Sequence, residues 1–277
     1  MTKIKINEAM LSTKPAINYS HCYVQCVDNM QLLKSQPNES VDLIYSDILY
    51  GTGRNFGEYQ DLKPKRDVIE SHYLPRLIEM KRVLKQNGSI YLQMDTKINH
   101  WMRILMDKVF GYDNFRNEIV WCYKSGGASK TKWSSKHDVI LFYSKTKYYK
   151  KIEYREIELS EGTKKGYPNG SKLGYFWQTQ NGKRYKINAY AKGRDWVEIS
   201  QINWKDKENV KYPTQKPKEL IKRFVLASSN ENDVVADYYL GSGTTAEVCK
   251  ELNRNFIGCD INPKAIEITK TRLNAGK

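Results

Sequence analysis

The chain has 277 residues, 40% of them hydrophobic, which suits one large α/β domain or one such domain carrying an insertion. No run of about 18 apolar residues could span a membrane, the opening MTKIKINEAM lacks the apolar region of a secretory signal, and the five cysteines (Cys22, Cys26, Cys122, Cys249, Cys259) are scattered, which argues against a disulfide framework or structural zinc and fits a reducing cytoplasm. A net charge of +15 at pH 7 points to a polyanionic partner.

In chain order, the first twenty residues are polar and aperiodic, a loose lead-in. His21 to Asp28 (HCYVQCVD) alternates like a short strand and ends on an acid; NMQLLKSQP then predicts a brief helix. Val41 to Asp47 (VDLIYSD) is an apolar strand that also ends on a carboxylate and flows into ILYGTG. Asn55 to Pro64 reads as a mobile loop over a site, and Arg66 to Gln86 as a long helix stopped by Gly88. Ser89 to Asp95 is the next strand and Lys97 to Phe110 an amphipathic helix. Glu118 to Lys124 and Val139 to Ser144 flank a Gly/Ser/Lys loop and suggest an antiparallel edge to the sheet. Asp95 is a candidate for lining a site; His137, Arg54 and Asn55 are weaker candidates for backbone or base contacts with a nucleic acid.

From Tyr148 to Lys211 the pattern changes to short, charged, aromatic segments with turns at Pro168-Asn169-Gly170 and Asn181-Gly182, a small β-rich insertion. Between Lys124 and Lys211, 20 Lys+Arg stand against 9 Asp+Glu, so this third of the chain holds most of the net charge. Trp133, Tyr148, Tyr149, Tyr154, Tyr175, Trp177, Tyr185, Trp196 and Trp204 are interleaved with it. Basic side chains neutralise phosphates while aromatics stack on bases or pack a small core.

YPTQKP (212–217) leads into the amphipathic helix KELIKRFVLAS, with Pro217 suited to its first turn. VVADYYLGSGTT (234–245) then runs from a strand through Asp237 into a glycine turn and a helix near Thr244, whose free N–H groups would face a ligand. NFIGCD ends on Asp260, 23 residues after Asp237, near the roughly 20-residue offset of an acid that binds ribose hydroxyls. The turn lacks the third glycine of a dinucleotide fingerprint and the lysine of a P-loop, so a different nucleoside-like ligand is expected; a tight turn in some other α/β enzyme would read the same from this stretch alone. A last helix starts at the Asn262 cap and Pro263 and carries Ile266, Ile268 and Leu273. Asp28, Asp47, Asp237 and Asp260 all sit at the carboxyl ends of strands, where open parallel sheets bind ligands. Because the ligand-binding βαβ unit comes last, strands from the N-terminal half must complete its sheet, a circular permutation.

SDILYGTG (46–53), YPTQKP (212–217) and DYYLGSGTT (237–245), in that order, resemble the β-class amino-methyltransferases of DNA, adenine-N6 or cytosine-N4 enzymes often paired with restriction. NEIVWCYKSGGASK (117–130) further resembles modification subunits of type III-like systems. The likeness covers nearly all of the chain except the lead-in and Tyr148 to Lys211. It implies an α/β fold, a circularly permuted Rossmann-like S-adenosylmethionine-dependent methyltransferase: a catalytic half over 1–147, an inserted target-recognition module over 148–211 and a cofactor half over 212–277.

The resemblance also implies roles. Asp47, Ile48, Leu49 and Tyr50 match the catalytic motif, usually D-P-P-Y, in which the acid and a backbone carbonyl accept the hydrogens of a base amine and the tyrosine stacks on the flipped base. Leu240, Gly241, Ser242, Gly243, Thr244 and Thr245 would cradle the methionine part of S-adenosylmethionine, with Asp237 near its amino group and Asp47 close by. Asp260 and Ile261 would meet the ribose, and Val27 and Asp28 the adenine. Thr214, Gln215 and Lys216 would close over the methionine end. No metal is implied. The implied partners are double-stranded DNA, a cognate restriction endonuclease and, as often in the family, a second copy of the chain. Asp at the head of the motif goes more often with adenine than with cytosine. Prolines fix φ, so Ile48-Leu49 in their place implies a greater ordering cost for this loop and a slower or less selective enzyme. A cytosine-N4 enzyme and a DNA-binding member with weak or no catalysis fit the same motifs.

Overall fold

The structure, a computed structural model, describes residues 22–55, 60–124, 129–149 and 194–275, and between the last two the backbone of four short strands. The lead-in and the turns expected at 168–170 and 181–182 lie outside the described residues.

The N-terminal half supplies β1 (Cys22–Cys26), α1 (Asn29–Ser35), β2 (Val41–Asp47), α2 (Arg66–Val83), β3 (Leu84–Met94), α3 (Asn99–Phe110), β4 (Phe115–Cys122) and β5 (His137–Ser144). Next come β6 (Ile157–Glu158), β7 (Tyr175–Gln180), β8 (Lys183–Asn188), β9 (Tyr190–Ala191) and β10 (Trp196–Glu198). The chain closes with α4 (Lys218–Ser228), β11 (Val234–Asp237), α5 (Thr244–Glu251), β12 (Asn255–Asp260) and α6 (Pro263–Asn274).

Eight strands form one sheet in the order β1-β12-β11-β2-β3-β5-β4-β10. Only β5 runs against its neighbours, antiparallel to both β3 and β4; the other pairings are parallel. The last βαβ unit therefore sits between β1 and β2, with Cys22 opposite Phe256 and Val235 opposite Leu43, the permuted arrangement expected from the motif order. Its carboxyl-end crevice lies where β2 and β11 meet, the switch point at which such sheets bind ligands. The antiparallel edge is present, but it is extended by β10, which comes from the stretch expected to be an insertion. The remainder of that stretch contains two separate pairings, β6 with β9 and β7 with β8.

Helices cover both faces of the sheet, so β2 and β11 are buried almost throughout and read as apolar runs. On one face Leu33, Tyr73, Leu77, Met102 and Met106 of α1, α2 and α3 pack on Val41, Ile44, Ile90 and Leu92. On the other, Leu220, Phe224 and Val248 of α4 and α5 pack on Leu43, Tyr45, Tyr91 and Val235.

The helix expected to run to Gln86 ends at Val83, and Leu84 is already extended. Leu84 pairs with Val41, so ladder hydrogen bonds and burial override a helix-favouring sequence. Gly88 is thus a strand residue rather than a stop. A Cβ there would lie 3.0 Å from the Asp42 carbonyl oxygen.

Gly243 is the tightest point of the glycine turn: φ is +76°, and a Cβ would lie 2.3 Å from Thr269 Oγ1 and 2.8 Å from its Cβ on α6. Thr269 cannot swing away, because its Cβ is fixed by the helix backbone and its hydroxyl donates to Ala265 O at 2.8 Å. Gly53 has a similar φ of +69°, but its nearest neighbour would be 3.5 Å away. Gly243→Ala should therefore destabilise the fold by about 3 kcal/mol, against about 1 kcal/mol for Gly53→Ala. Urea unfolding midpoints test this; equal shifts would show that crowding against α6 contributes nothing.

Candidate active site

The glycine turn leaves β11 at Asp237 and enters α5 with Gly243 in the N-cap position, where no side chain satisfies the helix N–H groups. Two acids brace the turn. Asp260, at the end of β12, accepts Gly241 N on Oδ2 and Asn262 N on Oδ1, each at 2.9 Å. Burial raises its pKa above the usual carboxylate value, while these backbone donors pull it down. Asp237 is buried beneath the turn and accepts the Thr245 hydroxyl at 2.7 Å and Tyr239 N at 3.0 Å; burial pushes its pKa up to about 7. From behind, Arg272 of α6 donates to Ser242 O at 2.8 Å and to Thr244 Oγ1 at 3.1 Å, and pairs with Glu247.

In front of the turn lies a cleft with about 910 Å³ of open space. Of the expected binding residues, Val27, Asp28, Asp47, Thr214, Gly241, Asp260 and Ile261 line it. Gln215, Lys216, Asp237, Leu240, Ser242, Thr244 and Thr245 line a narrower pocket that shares Asp47, Thr214 and Gly241 with the cleft. Gly243 lines neither and serves as the backbone hinge between turn and helix. A nucleoside with a charged tail fits this arrangement: an open helix N-terminus, backbone approach without a Cβ at Gly241, and strand-end acids at Asp28 and Asp260.

Lining residues not singled out from sequence include Asn29, Asp61, His72, Arg76, Tyr212 and Tyr239. His72 and Arg76 are one turn apart on α2. His72 Nε2 is 3.1 Å from the Tyr239 hydroxyl, and burial, with Arg76 nearby, lowers its pKa to about 4. Arg76 donates to Asn29 Oδ1 at 2.6 Å and to Asp28 Oδ2 at 3.2 Å, while Asp28 Oδ1 caps α1 through Met30 N. The helix carries many other polar residues, including the i, i+4 pair Arg66–Glu70, so no sequence signal set His72 and Arg76 apart.

The motif expected to be catalytic follows β2, and tertiary contacts hold it without prolines. Ile48 is buried in the core and its N–H donates to Gln93 O at 3.0 Å. Leu49 O accepts the Tyr73 hydroxyl at 2.9 Å. Asp61, only 3% exposed, accepts Gly51 N at 3.1 Å and Thr52 N at 2.7 Å. The region expected to be a mobile loop thus supplies a buried anchor for the motif; residues 56–59 lie outside the described ones. These bonds replace the stiffness that prolines would give.

Lys216 was expected at the methionine end of the ligand. It lines the narrow pocket at the glycine turn, and its ammonium donates to Asp47 Oδ2 at 2.5 Å and to Thr214 O at 3.1 Å and lies 5.1 Å from the centre of the Tyr50 ring. Burial raises the Asp47 pKa, with Lys216 pulling the other way. The Tyr50 hydroxyl is 2.8 Å from Asp47 Oδ1 and 2.7 Å from Asp138 Oδ2. A further pocket, about 770 Å³ of more open space, is lined by Tyr50, Asp95, Trp121, Tyr123, Asp138 and Lys216 among others. Asp95 lines this pocket; Tyr50, Tyr212 and Thr214 line both it and the cleft, and Asp47 of the cleft is bonded to Lys216 of the pocket. Among the expected aromatics, Trp133 and Trp204 are 97% and 80% exposed, Tyr148 is exposed, and Tyr149 instead packs on Phe142 and Arg116. Arg54 and Asn55 sit on the surface, and His137 is partly buried at the start of β5. Cys249 and Cys259 are buried in the core, and Cys26 is exposed.

The sequence pattern of a family described as DNA methylase, specific for N6 and N4, matches residues 41–271. The type II methyltransferase M1.MboII of Moraxella bovis is 38% identical over 272 residues, covering 93% of this chain and 97% of that protein. The type II methyltransferase M.HpaI of Haemophilus parainfluenzae is 34% identical, covering 90% and 73%. The DNA adenine methyltransferase YhdJ of Escherichia coli K12 is 31% identical, covering 89% and 81%. Among solved structures, the cytosine-N4-specific PvuII DNA methyltransferase superposes with a TM-score of 0.65 at 16% identity, covering 93% of this chain and 88% of that one. The S-adenosylmethionine complex of M1.HpyAVI gives 0.58 at 18% identity, covering 91% and 99%. With the permuted sheet, the glycine turn and the motif at Asp47 lying inside the matched span, the chain belongs to the N6/N4 DNA methylase family, the β-class amino-methyltransferases.

Proposed function

We propose that the amine modified by this DNA methyltransferase is the exocyclic N6 of an adenine flipped out of a specific site in duplex DNA. The observation that carries this reading is Asp47, a carboxylate that lines the cofactor-sized cleft and is bonded to Tyr50 and Lys216, which line a second, more open pocket. The 31% identical relative named as an adenine methyltransferase points the same way. A paired amine is out of reach inside the duplex, so the base must leave the stack. The exposed Trp133 and Trp204, with Lys130, Lys132 and Lys205 beside them in sequence, supply cation and π surfaces for the displaced strands. Target recognition is assigned to residues 148–211, and a restriction endonuclease and a second copy of the chain are the proposed partners.

S-adenosylmethionine, when bound, supplies an electrophilic methyl group. The chain's residues prepare the amine. Its lone pair is delocalised into the ring, and nitrogen becomes nucleophilic when both N–H bonds are drawn toward acceptors. Asp47 takes one hydrogen. We assign the second hydrogen to the Ile48 carbonyl, next to Asp47 in the chain; Leu49 O already accepts the Tyr73 hydroxyl. The Tyr50 ring offers the stacking face, and the cleft at Asp28, Asp260 and the glycine turn holds the cofactor in line, where positioning supplies much of the acceleration.

Methyl transfer from labelled S-adenosylmethionine to unmethylated genomic DNA, followed by nucleoside analysis, tests the reading. Label should appear in N6-methyladenine and fall by about 1,000-fold or more in Asp47→Ala. Label in N4-methylcytosine would keep the mechanism and reject the base.

Restoring proline at the motif should not accelerate this enzyme. Ile48→Pro removes the Ile48 N–H bond to Gln93 O and a buried side chain, so it should lower stability by about 2–4 kcal/mol without raising the single-turnover rate. Leu49→Pro, at a half-buried position, should cost less. A faster Ile48→Pro enzyme would mean that loop order, despite Tyr73 and Asp61, limits the reaction.

A further inference from the structure

Asp138, at the start of β5, is 4% exposed, and no Lys or Arg among the described residues lies within ion-pair distance of it. Three neutral groups surround its carboxylate. The Gln93 amide donates to Oδ2 at 2.9 Å and the Tyr123 hydroxyl to Oδ1 at 3.0 Å, with the Tyr50 hydroxyl 2.7 Å from Oδ2. Gln93 is itself fixed, because its Oε1 accepts the Tyr45 hydroxyl at 2.6 Å. Tyr50 also lies 2.8 Å from Asp47 Oδ1.

A phenol carries one hydrogen, so Tyr50 can donate to only one of these two carboxylates. Lys216 already neutralises Asp47 at Oδ2. Asp138 is a buried anion without such a cation, and an unmet hydrogen bond to a charged group costs more than one to a neutral group. The phenolic hydrogen therefore belongs to Asp138. Asp47 Oδ1 then faces the lone pairs of the Tyr50 oxygen with no hydrogen between them. It is an acceptor short of a donor, in the lining of the cleft and beside Tyr50, which lines both spaces.

We propose that Asp138 is a positioning residue for methyl transfer: by holding the Tyr50 hydrogen it fixes the plane of the ring and keeps Asp47 Oδ1 open for a hydrogen of the target amine. This deepens the amine-methylation reading above and rests on it. The acceptor is set before the base arrives, so no reorganisation is needed when charge develops on the amine.

The test is single-turnover transfer from labelled S-adenosylmethionine to unmethylated genomic DNA by four proteins: wild type, Asp138→Asn, Tyr50→Phe and the double variant. Calorimetric binding of S-adenosylmethionine serves as the folding control. An asparagine can donate to the Tyr50 oxygen and turn the phenolic hydrogen onto Asp47. Asp138→Asn should slow transfer by about 100-fold with cofactor affinity within about twofold of wild type. In the Tyr50→Phe background, with no phenol left to steer, the same substitution should cost less than about threefold. In protein labelled with 13C-tyrosine, the resonance lost in Tyr50→Phe should move in Asp138→Asn. Equal losses in both backgrounds, an unchanged rate or an unmoved resonance would overturn the proposal and leave Asp138 as structural support. If Asp138→Asn does not fold, Asp138→Glu, which keeps the charge and an acceptor, takes its place. A rate within about tenfold of wild type supports the proposal, and loss as severe as in Asp47→Ala with cofactor binding intact overturns it. Absence of transfer to DNA by the wild type would overturn this proposal and the amine reading together, whereas transfer without coupling between Tyr50 and Asp138 overturns this one alone.

Discussion

The ion pair between Asp47 and Lys216 joins residues 169 positions apart and ties the N-terminal part of the sheet to the C-terminal part of the chain. Both side chains are largely withdrawn from water, with 20% and 8% of their surfaces exposed. A pair of this kind contributes little net stability, because desolvation offsets attraction, yet removing one partner strands the other at a cost of about 3–5 kcal/mol. What the pair secures is geometry. Lys216 fixes Oδ2 of Asp47, so the carboxylate plane is set and the remaining oxygen points to Tyr50.

Around that pair the molecule arranges acids by burial and by partner. Asp260 accepts backbone donors and braces the turn. Asp237 lies under the turn, where its raised pKa marks a poorly solvated site. Asp61 holds the loop after the motif, and Asp138 lies beneath the tyrosine. Each of these carboxylates has hydrogen-bond donors, as burial demands, and Asp47 and Asp138 share one of them, the Tyr50 hydroxyl.

The motif without prolines shows how one physical requirement can be met in two ways. A proline stiffens a loop locally by fixing φ. Here Ile48 does so by packing in the core, Leu49 by a carbonyl bond to Tyr73 of α2, and Gly51 and Thr52 by bonds to Asp61. The ordering comes from distant segments, so a reading of the four motif residues alone overstates the flexibility.

Much of the architecture was legible in the sequence because it depends on local patterns: apolar strands ending in Asp47, Asp237 and Asp260, the glycine turn, the Asn262 cap, and a motif order that requires a permuted sheet. The end of α2 was not, because Leu84 joins a strand through pairing with Val41, a contact no local propensity encodes. Most of the expected binding residues gather at the cleft and its narrow neighbour, since strand ends and the turn converge there by topology. Only the tertiary structure decided that Lys216 answers Asp47, that His72 and Arg76 on α2 reach the cleft, and that Asp61 and Asp138 serve the motif. The reason is physical. A sequence shows which side chains can carry charge or hydrogen bonds, but a buried carboxylate's role depends on which donors surround it, and those donors come from segments that folding alone brings together.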